Sequence, residues 1–131
     1  MQGFKLILRT SILLKEPPEM FIAIVQIPGA KRSKEQAVEA GKASAPMYLG
    51  MTGLIRKYYL NGDEGGGGVY LWESREAAEA WYDDDWWPMM EKRFGVRPTL
   101  TYYDNHVIVD NASDELRIEG KAVALEQDAA Q

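Results

Sequence analysis

The sequence predicts an α+β domain built as strand, helix, strand, strand, helix, strand, with one four-stranded antiparallel sheet and its helices on one face. Three observations carry this. Short runs rich in β-branched and aromatic residues recur near positions 21–27, 53–60, 69–73 and 99–103. Two Ala-containing stretches opened by Ser33 and Ser74 stand between them and read as helices. The chain has 131 residues, 46% of them hydrophobic and 27% charged, which suits one globular domain and neither a disordered nor a fibrous chain.

Taken in order, residues 1–19 read as an N-terminal extension: an extra strand, or an overlong start with Met20 as the natural initiator. Pro17-Pro18 separates it from the first core strand, Phe21–Ile27, which stops at Pro28-Gly29. Ser33 and Gln36 form a capping-box pattern for the first helix, which Ala45-Pro46 should end or bend. Gly53–Leu60 is the second strand, the glycine-rich segment 61–68 a long turn, and Val69–Glu73 the third strand, so that the pair makes a hairpin. Ser74 caps the second helix, Asp83-Asp84-Asp85 interrupts it, and Asp85 caps a second piece from Trp86 to Phe94 that stops at Gly95. Thr99–Tyr103 is the fourth strand, and His106–Val109 extends it after a kink. The domain spans 20–111, with the ferredoxin-like βαββαβ order, and 112–131 is a polar, ragged tail.

Composition excludes several functions. The chain has no cysteine, which removes disulfides, zinc–thiolate sites, iron–sulfur clusters and thiol nucleophiles. With His106 as its one histidine, a multi-histidine metal site cannot form within one chain. A net charge of −5 with no basic cluster argues against nucleic acid. The apolar stretch Phe4–Leu14 is broken by Lys5, Arg9, Thr10 and Ser11 and is too short to span a bilayer. Arg9 and the following Lys15-Glu16-Pro17-Pro18-Glu19 also spoil it as a signal peptide, so a cytoplasmic protein without a membrane partner is expected.

The first strand is apolar on both faces, and so is the third, with Tyr70 and Trp72 on one side and Val69 and Leu71 on the other. Helices hide one face of such a sheet; a second copy of the chain is the simplest cover for the other, so a homodimer is expected. The alternative cover is the extension or the tail.

Ala45-Pro46-Met47-Tyr48-Leu49, Gly53–Leu60, Gly67–Ser74, Ala77–Tyr82, Arg93-Phe94-Gly95 and Val107–Asn111 resemble, in that order, the YdhR-like monooxygenase family. The resemblance covers about Phe21 to Asn111. It implies a dimeric α/β barrel in which two ferredoxin-like sheets pair, with a pocket between sheet and helices of each protomer. Relatives in that superfamily include cofactor-independent monooxygenases, haem-degrading enzymes, isomerases and cyclases. The haem ligand of the haem-degrading branch is a histidine on the second helix, and residues 75–94 contain none.

For the pocket, a cavity between the sheet and the second helix is expected, bordered by Tyr70, Trp72 and Trp81. Tyr48, Tyr58, Trp86 and Tyr103 complete the candidate substrate-binding set; each of these aromatic residues can equally be core. Arg56 and Lys57 sit mid-strand and point to opposite faces. A cation there needs a partner, such as Glu73, Glu79 or a dimer-mate carboxylate, or a task, such as stabilising an enolate or phenolate. Strict alternation groups Arg56 with Leu54 and Tyr58, and Arg56 is the candidate anion stabiliser, although the register does not follow from sequence. His106 is the candidate general base, against the reading of an exposed turn histidine. Asp83-Asp84-Asp85 lacks the spacing of a calcium loop, and the glycine run lacks the context of a phosphate loop, so no metal is assigned.

The expected function is a cofactor-independent, monooxygenase-like enzyme acting on a small hydrophobic or aromatic substrate through an enolate or phenolate anion. An isomerase or cyclase using the same pocket and a non-catalytic small-molecule-binding module are the alternatives; haem degradation ranks below them.

Overall fold

The computed structural model describes residues 20–124. The expected N-terminal extension 1–19 and the last part of the expected tail, 125–131, lie outside the described residues.

Strand β1 (Phe21–Pro28) buries Phe21, Ala23 and Val25 on one face and half-buries Ile22 and Ile24 on the other. Helix α1 (Lys34–Tyr48) begins with a complete capping box: the Ser33 hydroxyl accepts the Gln36 N–H at 3.1 Å, and the Gln36 side chain accepts the Ser33 N–H at 3.0 Å. Pro46 neither ends nor displaces the helix. It falls in the last turn, where a missing N–H costs one intrahelical bond, and the helix runs on to Tyr48.

Strands β2 (Leu54–Gly62) and β3 (Gly65–Trp72) form the expected hairpin, but the glycines are not its turn. Asp63-Glu64 alone makes the turn, and Gly65 to Gly68 are strand residues, paired with Pro28 to Val25 of β1 on one side and Gly62 to Tyr59 of β2 on the other. Gly67, at φ +138°, shows why glycine is needed: a Cβ there would sit 1.9 Å from the Val25 carbonyl oxygen. Between Leu54 and Arg56 the register shifts by a bulge that takes up Ile55.

Helix α2 (Arg75–Trp81) starts at Ser74, whose hydroxyl accepts the Ala77 N–H at 3.0 Å. Helix α3 (Trp86–Phe94) ends at Gly95 in the left-handed conformation, as its sequence suggests. Its start is different from expectation. Asp85 makes no side-chain cap bond; the Asp83 carboxylate instead accepts the N–H groups of Asp85 and Trp86, each at 3.1 Å. Strand β4 (Thr99–Asp104) completes an antiparallel sheet of order β2-β3-β1-β4.

The predicted six-element ferredoxin-like βαββαβ unit of a dimeric α/β barrel is corrected by the chain beyond β4. His106–Val109 does not extend the fourth strand, and residues 112–123 are not ragged. Strands β5 (Val107–Asp110), β6 (Glu115–Ile118) and β7 (Lys121–Val123) form a second antiparallel sheet of order β5-β6-β7. The described residues therefore hold three helices and seven strands in two antiparallel sheets. The physical reason is local turn chemistry. The Asp110 carboxylate accepts the N–H groups of Ala112 and Ser113 at 2.9 and 3.2 Å, and Glu119 (φ 51°) and Gly120 (φ 79°) turn the chain again. Strands β6 and β7 are four and three residues long and mix charged with apolar side chains, so no strand pattern marks them in the sequence.

The core lies between the helices and the facing side of the first sheet. Its hub is Tyr82, whose ring meets those of Tyr70, Trp72, Trp86 and Tyr102 at centroid separations of 5.6, 5.7, 5.0 and 6.0 Å. The Tyr82 hydroxyl also accepts the Trp72 indole N–H at 3.3 Å. Among the described residues, no helix is long and apolar enough to cross a membrane.

Candidate functional site

A cavity of about 510 Å³ opens between α1, the end of α3 and the β1–β3 end of the sheet. The glycines create it. Gly66 and Gly67 of β3 line it and leave a floor without side chains. Gly41, Ala37 and Ala40 keep the facing side of α1 equally low.

Lys57 lies in this space. Its Nζ stands 3.6 Å from the centre of the Tyr48 ring, 4.0 Å from that of Tyr59 and 4.8 Å from that of Tyr70. These are cation–π distances, with contributions of about 0.5–2 kcal/mol each depending on desolvation. A Cβ on Gly68 would lie 3.2 Å from Lys57 Cε and 2.9 Å from the Tyr70 ring, so Gly68 leaves the room in which the lysine stem lies. No carboxylate pairs with Lys57 among the described residues. Burial, and then the positive charge of Arg93, lower its pKa from 10.5 to about 8. Arg93 reaches the same cavity from α3, and Arg32 from the β1–α1 connection.

Burial pushes the Tyr70 and Tyr48 hydroxyls upward, so both stay protonated, and the two rings meet edge-on at a centroid separation of 5.9 Å. The Tyr59 hydroxyl lies 2.8 Å from the Ser44 hydroxyl, the one buried polar residue of the described chain. The cavity thus combines an amine of lowered basicity, a guanidinium and neutral phenol donors on an apolar wall.

This is not the site that the sequence suggests. The cavity lies under the first helix and not at the second; Trp72 and Trp86 are core, and Trp81 packs edge-on against Tyr48 at 5.9 Å without lining the space. Of the expected aromatic lining, Tyr48 and Tyr70 are in the cavity. Tyr58 and Tyr103 are 53% and 51% exposed and lie on the other face of the sheet. Arg56 is there too. It is exposed, its guanidinium donates to the Tyr58 hydroxyl at 3.2 Å, and the Asp110 carboxylate is near enough for its charge to be felt. His106 is exposed at the start of the second sheet, with its Nδ1 on the Glu119 carboxylate. Neither Arg56 nor His106 reaches the cavity.

The choice between Arg56 and Lys57 turned on one residue. Regular alternation from Leu54, which packs on the core, sends Arg56 inward. The bulge at Ile55 reverses everything after it, so Lys57 joins Leu54 on the helix side and Arg56 goes outward with Tyr58. Tyr59, Ser44 and Arg93 carry no sequence signal of their own; they are brought to Lys57 by pairing and helix packing. Scans against protein-family models and searches of curated proteins and of solved structures gave no match.

Proposed function

We propose that the chain binds a small hydrophobic or aromatic molecule under α1 and acts on it, without a cofactor, through an enolate or phenolate anion. The observation that supports this best is the Lys57 amine, ringed by Tyr48, Tyr59 and Tyr70 inside a cavity and without a carboxylate partner among the described residues. With a pKa of about 8 the amine serves first as base and then as counter-ion. It takes the proton of a weakly acidic carbon or phenol, and the resulting ammonium stands beside the anion. Tyr48 and Tyr70, held neutral, donate hydrogen bonds, and Arg93 supplies a second positive charge. These roles pass to Lys57 from Arg56 and His106. The resemblance to the YdhR-like family points to oxygenation of that anion; an isomerase or cyclase needs the same groups.

The proposal includes a homodimer. Ile22, Ile24, Val69 and Leu71 form an apolar strip on the sheet face away from the helices, flanked by exposed Tyr58 and Tyr103. The proposed cytoplasmic location rests on the sequence, where Arg9 interrupts the apolar stretch Phe4–Leu14.

Calorimetric titration with hydrophobic anions such as quinols and aryl carboxylates tests the site. Saturable binding is expected, and Lys57→Met should weaken it by about 1–3 kcal/mol, the scale of a lost charged hydrogen bond. Affinity for a carboxylate should fall as pH rises through about 8, where Lys57 loses its charge. Equal binding by parent and Lys57→Met at neutral pH would overturn the assignment.

A further inference from the structure

The Lys57 amine has a second reaction open to it, which rests on the reading of the cavity as a small-molecule site. A lysine becomes a nucleophile toward carbonyl carbon when an apolar pocket or a neighbouring cation favours its neutral form. Both conditions meet here. Three tyrosine rings surround Nζ, and Arg93 lines the same cavity close enough for its charge to act on Lys57. The groups facing the amine from each packed element are Tyr48 on α1, Tyr59 on its own strand, Tyr70 on β3 and Arg93 on α3. None is an acid that would hold the lysine as a permanent ammonium.

We propose that Lys57 forms an imine with hydrophobic 2-oxo acids, the carboxylate of the ligand resting on Arg93 and its apolar side chain on the glycine floor and the tyrosine wall. The nitrogen lone pair adds to the keto carbon, and the C=O π electrons move to oxygen. The nitrogen gives up its two protons in turn, the oxygen takes up two in all, and water departs as the C=N bond forms. The step is a condensation and needs no oxidant or reductant. The phenol hydroxyls of Tyr48 and Tyr70 serve as donors to the departing oxygen. A 2-oxo acid fits better than a simple ketone because Arg93 lines the cavity and its charge is felt at the amine, and a guanidinium holds a carboxylate through a planar pair of hydrogen bonds.

Phenylpyruvate and sodium cyanoborohydride, applied to the full-length protein, test the proposal. Reduction fixes the imine as a secondary amine. The intact mass should rise by that of the oxo acid less one oxygen, and peptide mapping should place the adduct on Lys57 rather than on the exposed Lys31, Lys34, Lys42 or Lys92. Labelling should speed up as pH rises toward about 8. Lys57→Arg, which keeps the charge, should remove the adduct. Arg93→Gln should slow trapping of phenylpyruvate several-fold more than trapping of phenylacetaldehyde, which lacks the carboxylate. An adduct spread over the surface lysines, or one that persists in Lys57→Arg, would overturn the imine. Hydrocinnamate, which has no keto group, separates this from the underlying reading. If it binds saturably while phenylpyruvate gives no Lys57 adduct, the imine fails and the anion site stands; if neither binds, both fail.

Discussion

The Lys57 ammonium lies 3.6 Å from the centre of the Tyr48 ring, which joins the second strand to the last turn of the first helix across the cavity. Tyr48 is in place because α1 continues through Pro46, and Lys57 because a bulge turns it inward. A desolvated cation and a ring quadrupole attract, but the attraction replaces only part of the lost hydration, and the lysine pKa falls.

That balance makes stability depend on pH in a definable window. Below pH 8 Lys57 is charged in both folded and unfolded chains, and the folded state bears the full burial penalty. Between about 8 and 10.5 the folded chain has released the proton and the unfolded chain still holds it, so stability rises with pH. Denaturant titrations of parent and Lys57→Met should show their difference shifting toward the parent across this window. Above pH 10 burial keeps Tyr70 and Tyr82 protonated in the folded state, which lowers stability in both chains alike and cancels in the comparison.

The glycine run should be sensitive position by position. Gly67→Ala places a Cβ 1.9 Å from the Val25 oxygen at φ +138°, and a loss of about 2–4 kcal/mol is expected from strain and a broken strand pair. Gly29 has no atom within 4 Å of the same Cβ position, so Gly29→Ala should stay within about 0.5 kcal/mol. Urea midpoints of the two variants check this.

Arg56→Met should leave ligand affinity unchanged, in contrast to Lys57→Met, because the guanidinium lies on the opposite side of the sheet and contacts Tyr58. Its effect on stability should be within about 0.5 kcal/mol, as for an exposed side chain with one hydrogen bond. Equal losses of affinity in both variants would show that the two cations serve the same site.

Light scattering should give about twice 14.8 kDa for the parent. Leu71→Lys places a charge in the apolar strip formed with Ile22, Ile24 and Val69 and should shift the chain to monomer without unfolding it, as followed by circular dichroism. A monomeric parent at micromolar concentration would overturn the homodimer.

The elements of the first sheet and its helices were legible because each carries its own local chemistry. The Ser33 capping box, the Ser74 cap, the Gly95 stop and the two-sided apolar run of β1 depend on neighbours a few residues away. The sequence by itself also determined that a mid-strand cation at 56 or 57 would be buried near aromatic rings. Tertiary structure alone decided which one. A bulge has no marker in Leu54-Ile55-Arg56, since it arises where β2 must fit both the twist of β3 and the packing of Leu54 on the core. The glycines at 65–68 likewise read as a turn from their backbone freedom, yet they pair on both sides as strand, because a close approach to β1 needs the same freedom. The second sheet was missed for a related reason: Val107–Val109 reads as strand but as a continuation of β4, and its partners β6 and β7, four and three residues long, carry too little periodicity to be read.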